Sequence, residues 1–268
     1  MKKRMPRQLI LIVILCVLIL AAILWLLIKN ISSIDSSSEI VQEIYAYLGS
    51  DYLDYCEGMP FYEEDEINIE SIDSSLKMCL AFKLIEENNI LKESLNKDKK
   101  QDACNFTKEK QFRLSGNDDK CDIEIITSDI LNAKYKNIFG TDIESYDDFK
   151  LSGSKICYYD EKEGRYLCGN TLVQNLQLGW APTTYRMINK VKEKGNRIYI
   201  YDRYLAVNDS KCYVTNSGTS ENEKCSDKIN EKTNYNSLFL LRYGKQYTHI
   251  FEKDSKGDYH WISSSPEK

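Results

Sequence analysis

The chain has only two histidines, His249 and His260, and no two of its nine cysteines lie within four residues of each other. Zinc sites bring ligand pairs together at about two to four residues' spacing, so these cysteines do not read as metal ligands. No G-x-x-x-x-G-K-[ST] or G-x-G-x-x-G cradle for phosphate occurs. The serine-hydrolase signatures G-x-S-x-G and S-x-x-K with K-T-G are missing as well. No cofactor and no metal is therefore expected. Glycine, proline and histidine are scarce while lysine, asparagine, isoleucine and tyrosine are abundant, a bias of A/T-rich coding sequence. That bias weakens any argument from tyrosine or asparagine numbers alone. An excess of positive charge is also lacking. All 41 acidic residues lie beyond residue 30, against 31 of the 36 basic ones, so this part carries about −10. Such a balance speaks against nucleic acid and anionic lipid surfaces as partners.

Long apolar runs are absent too, with one exception at residues 9–28. These twenty residues carry no charge and follow Lys2, Lys3, Arg4 and Arg7. At about 1.5 Å per helical residue they reach roughly 30 Å, the thickness of a bilayer's hydrocarbon. The run is too long for a cleavable signal peptide, and Ala21-Ala22 leads into Ile23-Leu24-Trp25 rather than a polar mature start. Cys16 follows Val13-Ile14-Leu15, which does not suit lipoprotein processing, and it reads as an apolar filler. Four basic residues before the run and only Lys29 just after it predict a cytoplasmic N-terminus and an extracytoplasmic remainder. The expected layout is a basic tail (1–8), a transmembrane signal anchor (9–28), a polar stalk (29–38), a helix-rich half (39–152) and a strand-rich half (153–268). The lipid bilayer is thus an expected partner through residues 9–28.

Eight cysteines lie beyond the run, an even set suited to an oxidising compartment. They allow 105 pairings in principle. Short strands around 160–164 would set Cys157 across from Cys168, and Cys212 with Cys225 would close a polar loop. Cys104–Cys121 and Cys56–Cys79 complete the local pairing.

Along the exterior part, Ser36 and Glu39 have capping-box spacing, and Ile40, Val41, Ile44 and Leu48 recur at helical spacing up to Gly49. Residues 56–70 read as an acidic loop whose Glu63-Glu64-Asp65-Glu66 run lacks the spaced ligands and sharp glycine turn of a calcium site. Residues 71–95 read as the longest exterior helix, on the stripe Leu76, Cys79, Leu80 and Leu84. Thr127-Ser128-Asp129 predicts a helix start, with its end at Gly140. Strands are expected at 155–159, 165–169, 183–192, 197–207, 211–214, 237–243, 246–253 and 258–263. Their short links imply an antiparallel meander. The expected fold class is α+β: an N-terminal transmembrane helix, then helices packed on a curved antiparallel sheet, stapled by disulfides.

The last third carries Ile198-Tyr199-Ile200-Tyr201-Asp202, Tyr247-Thr248-His249-Ile250-Phe251-Glu252 and Gly257-Asp258-Tyr259-His260-Trp261-Ile262. Over roughly residues 180–263 this resembles uncharacterised membrane-anchored exported proteins of low-GC Gram-positive bacteria. Its order of elements is similar to cystatin-like or NTF2-like folds. The resemblance implies a cell-envelope address and supplies no catalytic set.

Three residues remain as candidates for chemistry. His249 and His260 could do acid–base work if strand register lets them meet. Asp202 interrupts an apolar strand and would sit beneath the sheet as a buried carboxylate. The aromatic residues of the strand half, among them Tyr199, Tyr204, Tyr247 and Trp261, would either fill the core or line a concave pocket. The leading expectation is a membrane-tethered, non-catalytic binding domain whose partner is an envelope protein, peptide or glycan. The alternatives are an envelope hydrolase using His249 or Asp202, and a structural spacer in a membrane complex.

Overall fold

A computed structural model describes residues 17, 19, 31–49, 56, 60–116, 118–151, 153–172, 183–208, 211–215, 223–230 and 232–267. The apolar run 9–28 lies outside these residues except for Val17 and Ile19, which are helical and more than half exposed. Among the described residues no helix is long and apolar enough to cross a membrane. The fold is therefore defined without the transmembrane helix expected at its start.

The described chain opens with strand β1 (Ile31–Ser33) and helix α1 (Glu39–Ala46). Strand β2 (Ile67–Asn68) precedes α2 (Ser74–Lys83), and β3 (Leu91–Asn96) follows it. The ribbon of β4 (Ala103–Asn105) and β5 (Gln111–Arg113) leads to β6 (Lys120–Thr127) and α3 (Ser128–Phe139). Next come β7 (Phe149–Lys150), β8 (Lys155–Asp160) and β9 (Arg165–Asn170). The long strands β10 (Thr183–Lys194) and β11 (Arg197–Asn208) form a hairpin, and β12 (Lys211–Tyr213) turns back on it. A single helical turn, Glu223–Ser226, and α4 (Ser237–Tyr243) lead into the hairpin of β13 (Lys245–Lys253) and β14 (Tyr259–Pro266).

Strands predominate in this α+β fold, and among the described residues they form two large antiparallel sheets beside the two-stranded β4–β5 ribbon, rather than the one curved sheet expected. The larger has the order β1-β10-β11-β13-β14-β2, with β12 also paired to β11; the second has the order β3-β6-β9-β8-β7. One apolar cluster joins the inner faces of both sheets to α1, α2 and α3. Trp261 and Phe251 enter it from the larger sheet, Tyr166 and Phe149 from the smaller, and Val41, Met78 and Ile138 from the helices.

Two local differences separate the structure from the expected pattern, and the first of them supplies an edge of the second sheet. Helix α2 starts where Asp73 Oδ1 accepts from the Leu76 amide at 2.8 Å, but it ends at Lys83. A 3-10 turn at Glu87–Asn89 then breaks the path, and the polar alternation of β3 pairs it to β6. The end of the expected 71–95 helix thus becomes an edge strand. Conversely, 237–243 is helical, because Asn236 Oδ1 caps it by accepting from the Phe239 amide at 3.1 Å. Only Leu240 of that helix is buried, while Leu238 is 75% exposed. At α1 the expected capping box is replaced. Ser38 holds the N-cap position, and Ser37 donates instead to Asp35 Oδ1. Helix α3 follows its sequence signals: Thr127 caps it, and Gly140 ends it at φ 74°. An alanine at 140 would set its Cβ 3.0 Å from the His260 ring.

The eight cysteines form the bridges Cys56–Cys79, Cys104–Cys121, Cys157–Cys168 and Cys212–Cys225. Cys157 and Cys168 face each other across the β8–β9 hairpin. Cys56–Cys79 spans the longest separation, 23 residues, and ties the segment before β2 to α2. Replacing both of its cysteines by alanine is expected to lower stability by about 2–4 kcal/mol, since the bridge restricts the unfolded chain. Urea unfolding of the full chain measures this, and an unchanged midpoint would show that the bridge does not constrain the fold.

Candidate functional site

The alternation of β11 sends Ile198, Ile200, Asp202 and Tyr204 to the inner face, where each is fully buried or nearly so. On β13 the same alternation turns Tyr247, His249 and Phe251 inward. Register then decides the neighbours. Asp202 pairs with Tyr247 and Ile200 with His249, so Asp202 and His249 are diagonal across the strand pair. On the other side Ser264 of β14 lies directly opposite His249. The sheet thus lays Ser264, His249 and Asp202 in one row.

His249 Nε2 is 3.1 Å from Asp202 Oδ1, and its Nδ1 is 2.6 Å from Ser264 Oγ. Trp261 Nε1–H donates to the same Oγ at 2.9 Å. The second carboxylate oxygen, Oδ2, accepts from the hydroxyls of Tyr45 at 2.8 Å and Tyr62 at 2.7 Å. Donor counting orders the chain. The Asp202 carboxylate can only accept, so Nε2–H turns to it; on the neutral ring Nδ1 is then the acceptor and takes the Ser264 O–H, whose oxygen accepts from Trp261. Every proton in this row points toward one carboxylate. Burial pushes the Tyr45 hydroxyl well above its ordinary value, and the Asp202 charge adds to this. Burial also raises Tyr62, with Arg186 opposing and Asp202 reinforcing. Both phenols therefore stay protonated donors.

A serine, a histidine and an aspartate in a row are the residue types of a hydrolytic triad. Their surroundings differ from one. Asp202 and His249 are 0% exposed and Ser264 is 1% exposed. Phe61 packs edge-on to Trp261, and Tyr62 packs edge-on to the His249 ring at 5.2 Å while stacking on Tyr204 at 4.0 Å. No face of Ser264 Oγ is open to a substrate carbonyl. His260, the other histidine, does not join the row. It lies opposite Glu252, with Nδ1 2.9 Å from the Asn137 carbonyl and Nε2 3.4 Å from Asp254. Tyr204, Tyr247, Tyr166 and Trp261 fill the core rather than a concave pocket.

The network reaches the surface through two residues the sequence reading passed over. Arg186 of β10 donates to the Tyr62 hydroxyl at 3.3 Å, to the Leu48 carbonyl at 3.2 Å and to the Gly49 carbonyl. Its guanidinium lies over the Tyr45 ring, 4.8 Å from the centroid. Tyr45 and Arg186 both line a cleft of about 810 Å³. Phe82, Leu84, Ile85 and Ile90 supply apolar walls from the end of α2 and the turn after it. Lys92 and Lys155 stand beside Glu87 and Glu124 at the edge of the cleft, while Lys83 Nζ is buried and Arg186 is turned to the Leu48 and Gly49 carbonyls. Two of the pairs are close: Lys155 to Glu124 and Lys92 to Glu87, each at 2.7 Å. Tyr45 adjoins the apolar stripe of α1, and Pro60-Phe61-Tyr62 interrupts an acidic stretch; those are the signals that mark them. Arg186 carries no such signal. Among the described residues no group of three histidine, cysteine, aspartate or glutamate side chains is placed to hold a metal ion.

Replacing Asp202 by alanine leaves three buried donors without their acceptor, and a loss of about 3–5 kcal/mol is expected in urea unfolding. A loss under about 1 kcal/mol would show that the row is not a structural hub. The tyrosines set an alkaline limit. Burial raises Tyr45, Tyr62, Tyr166, Tyr204 and Tyr247 above the ordinary 10.0, and Tyr47 is pushed to about 12 by burial and then by Glu43 and Asp258. Raised values mean stability that is complete below the unfolded value and lost as pH rises through the folded ones. Ionisation of these buried tyrosines and loss of fold are therefore expected to rise together above about pH 10. Tyrosine ionisation well ahead of unfolding would contradict the packing of these rings.

No protein-family model, curated protein or solved structure matches the chain.

Proposed function

We propose that the chain is a non-catalytic binding domain displayed at the outer face of a cell membrane, with its ligand seated in the cleft beside Tyr45 and Arg186. One observation carries this reading: the Ser264–His249–Asp202 row is sealed while the cleft beside it is open and mixes apolar walls with paired lysines and glutamates. Binding sites combine such apolar lining with a few placed polar groups. The envelope address is supported by the uncharged run 9–28 behind four basic residues and by four disulfides, which suit an oxidising compartment. The resemblance of residues 180–263 to exported proteins of low-GC Gram-positive bacteria points the same way. An envelope hydrolase using His249 or Asp202 is the second reading. It draws on the three residue types of the row, and the burial of Ser264 weighs against it.

A fluorophosphonate probe separates the two readings. The folded full chain in mild detergent is expected to leave Ser264 unlabelled, and labelling that disappears in Ser264→Ala would favour the hydrolase. Benzoate tests the cleft as a small apolar anion. Its binding, followed by thermal shift, is expected to weaken on the order of tenfold in Lys155→Glu. Equal affinity in that variant would place the site elsewhere.

A further inference from the structure

We propose that two hairpin tips of the larger sheet, at Gly195-Asn196 and at residues 254–258, rest on the phospholipid headgroups of the membrane, held there by a two-residue tether. This inference rests on the membrane address proposed above, with the run 9–28 in the bilayer. Only Lys29 and Asn30 separate that run from β1. At about 3.6 Å per residue, the three steps from Ile28 to Ile31 reach at most about 11 Å. The headgroup layer on one side of a bilayer is itself about 5–8 Å deep. The start of β1 is therefore held in that layer or a few ångströms above it.

Register carries this constraint across the sheet. Ile31 lies opposite Lys194, Lys194 opposite Arg197, and Arg197 opposite Glu252. That row is level with the start of β1, and β1 runs away from it toward Lys192. The turns at Gly195-Asn196 and at 254–258 project past the row, on the side from which the chain arrives. They lie side by side, since the Lys253 amide donates to the Asn196 carbonyl at 2.7 Å.

The chemistry of the tips suits a headgroup layer rather than hydrocarbon. Residues 194–197 and 252–258 carry no apolar side chain. Lys194, Lys253 and Lys256 are exposed, and phosphate groups are their natural partners. Of the acids, Glu252 pairs with Arg197 at 2.6 Å, and Asp254 Oδ1 accepts from three amides of its own turn, while Asp258 is exposed. The mixed charge matches a zwitterionic surface, and the tether rather than net attraction sets the contact. With the tips down, α4 and β12 pack at the far end of the sheet, where β13 begins. Arg186 stands eight residues from Lys194 along β10, about 26 Å at about 3.3 Å per residue. The cleft is thereby lifted clear of the headgroups, so its ligand is envelope material rather than lipid.

Photocrosslinking tests this on the full chain in phosphatidylcholine nanodiscs that contain a phosphatidylethanolamine with a diazirine on its headgroup. Mass spectrometry of the crosslinked peptides is expected to find them concentrated on 194–197 and 253–258, with few on α4 or β12. Inserting about a dozen Gly-Ser residues after Asn30 is expected to cut the crosslinks at the tips about fivefold or more, because the effective concentration of the tips at the surface falls with tether length. Crosslinks concentrated on α4, on the free edge of β1 or around the cleft, with the chain in the nanodisc, would overturn this inference and leave the membrane address standing. A chain recovered outside the nanodiscs would overturn both. Undiminished tip crosslinks in the lengthened chain would overturn the tether as their cause, and with it the proposal.

Discussion

The carboxylate of Asp202 is the constraint on which the rest of the structure depends. It sits on the inner face of the central strand of the larger sheet, where it is fully buried. A buried charge is tolerated only when hydrogen bonds replace its water. Here the replacements come from α1 through Tyr45, from the 3-10 turn at Pro60–Tyr62 through Tyr62, and from β13 through His249. Three segments far apart in the chain are thereby fixed to one side chain of β11. Apolar packing alone would tolerate sliding among them, whereas a satisfied polar hub admits one arrangement.

The hub also decides what its residues are free to do. A serine whose hydroxyl hydrogen turns to His249, and whose oxygen takes the Trp261 proton, is committed to the interior. The same hub shapes the surface from beneath. Tyr45 gives its hydroxyl to Asp202 and its ring to the guanidinium of Arg186, so one wall of the cleft is set by the core. The cleft lies where the end of α2 and the smaller sheet meet this wall. Its edge carries the ion pairs Lys92–Glu87 and Lys155–Glu124.

Parts of this were legible in the sequence. Asp202 breaks an apolar strand, and its inward place follows from alternation alone. The cysteines pair with near neighbours in the chain, where short loops close easily and strand register can be read. Helix α3 carries both its start and its stop signal. Other parts depend on distant partners that no local pattern encodes. The stretch 86–96 is polar enough to serve as helix, turn or strand, and only pairing with β6 decides it. Residues 237–243 alternate poorly and hold four apolar residues in a row, so the cap at Asn236 outweighs a strand-like composition. Tyr62 lies among acids, and its role exists only once the strands bring Asp202 above it. The row of Ser264, His249 and Asp202 is likewise a product of register between three strands.

The most direct measurement is a two-bond proton–nitrogen NMR spectrum of the histidine rings in the full chain. For His249 the account predicts a proton on Nε2, a bare Nδ1 accepting from Ser264, and an Nε2 proton that exchanges slowly with water because the site is closed. A proton on Nδ1, or a ring proton in rapid exchange with solvent, would contradict the account. A proton on Nδ1 would reverse the bond to Ser264, and rapid exchange would mean that the row is open and the serine available for chemistry after all.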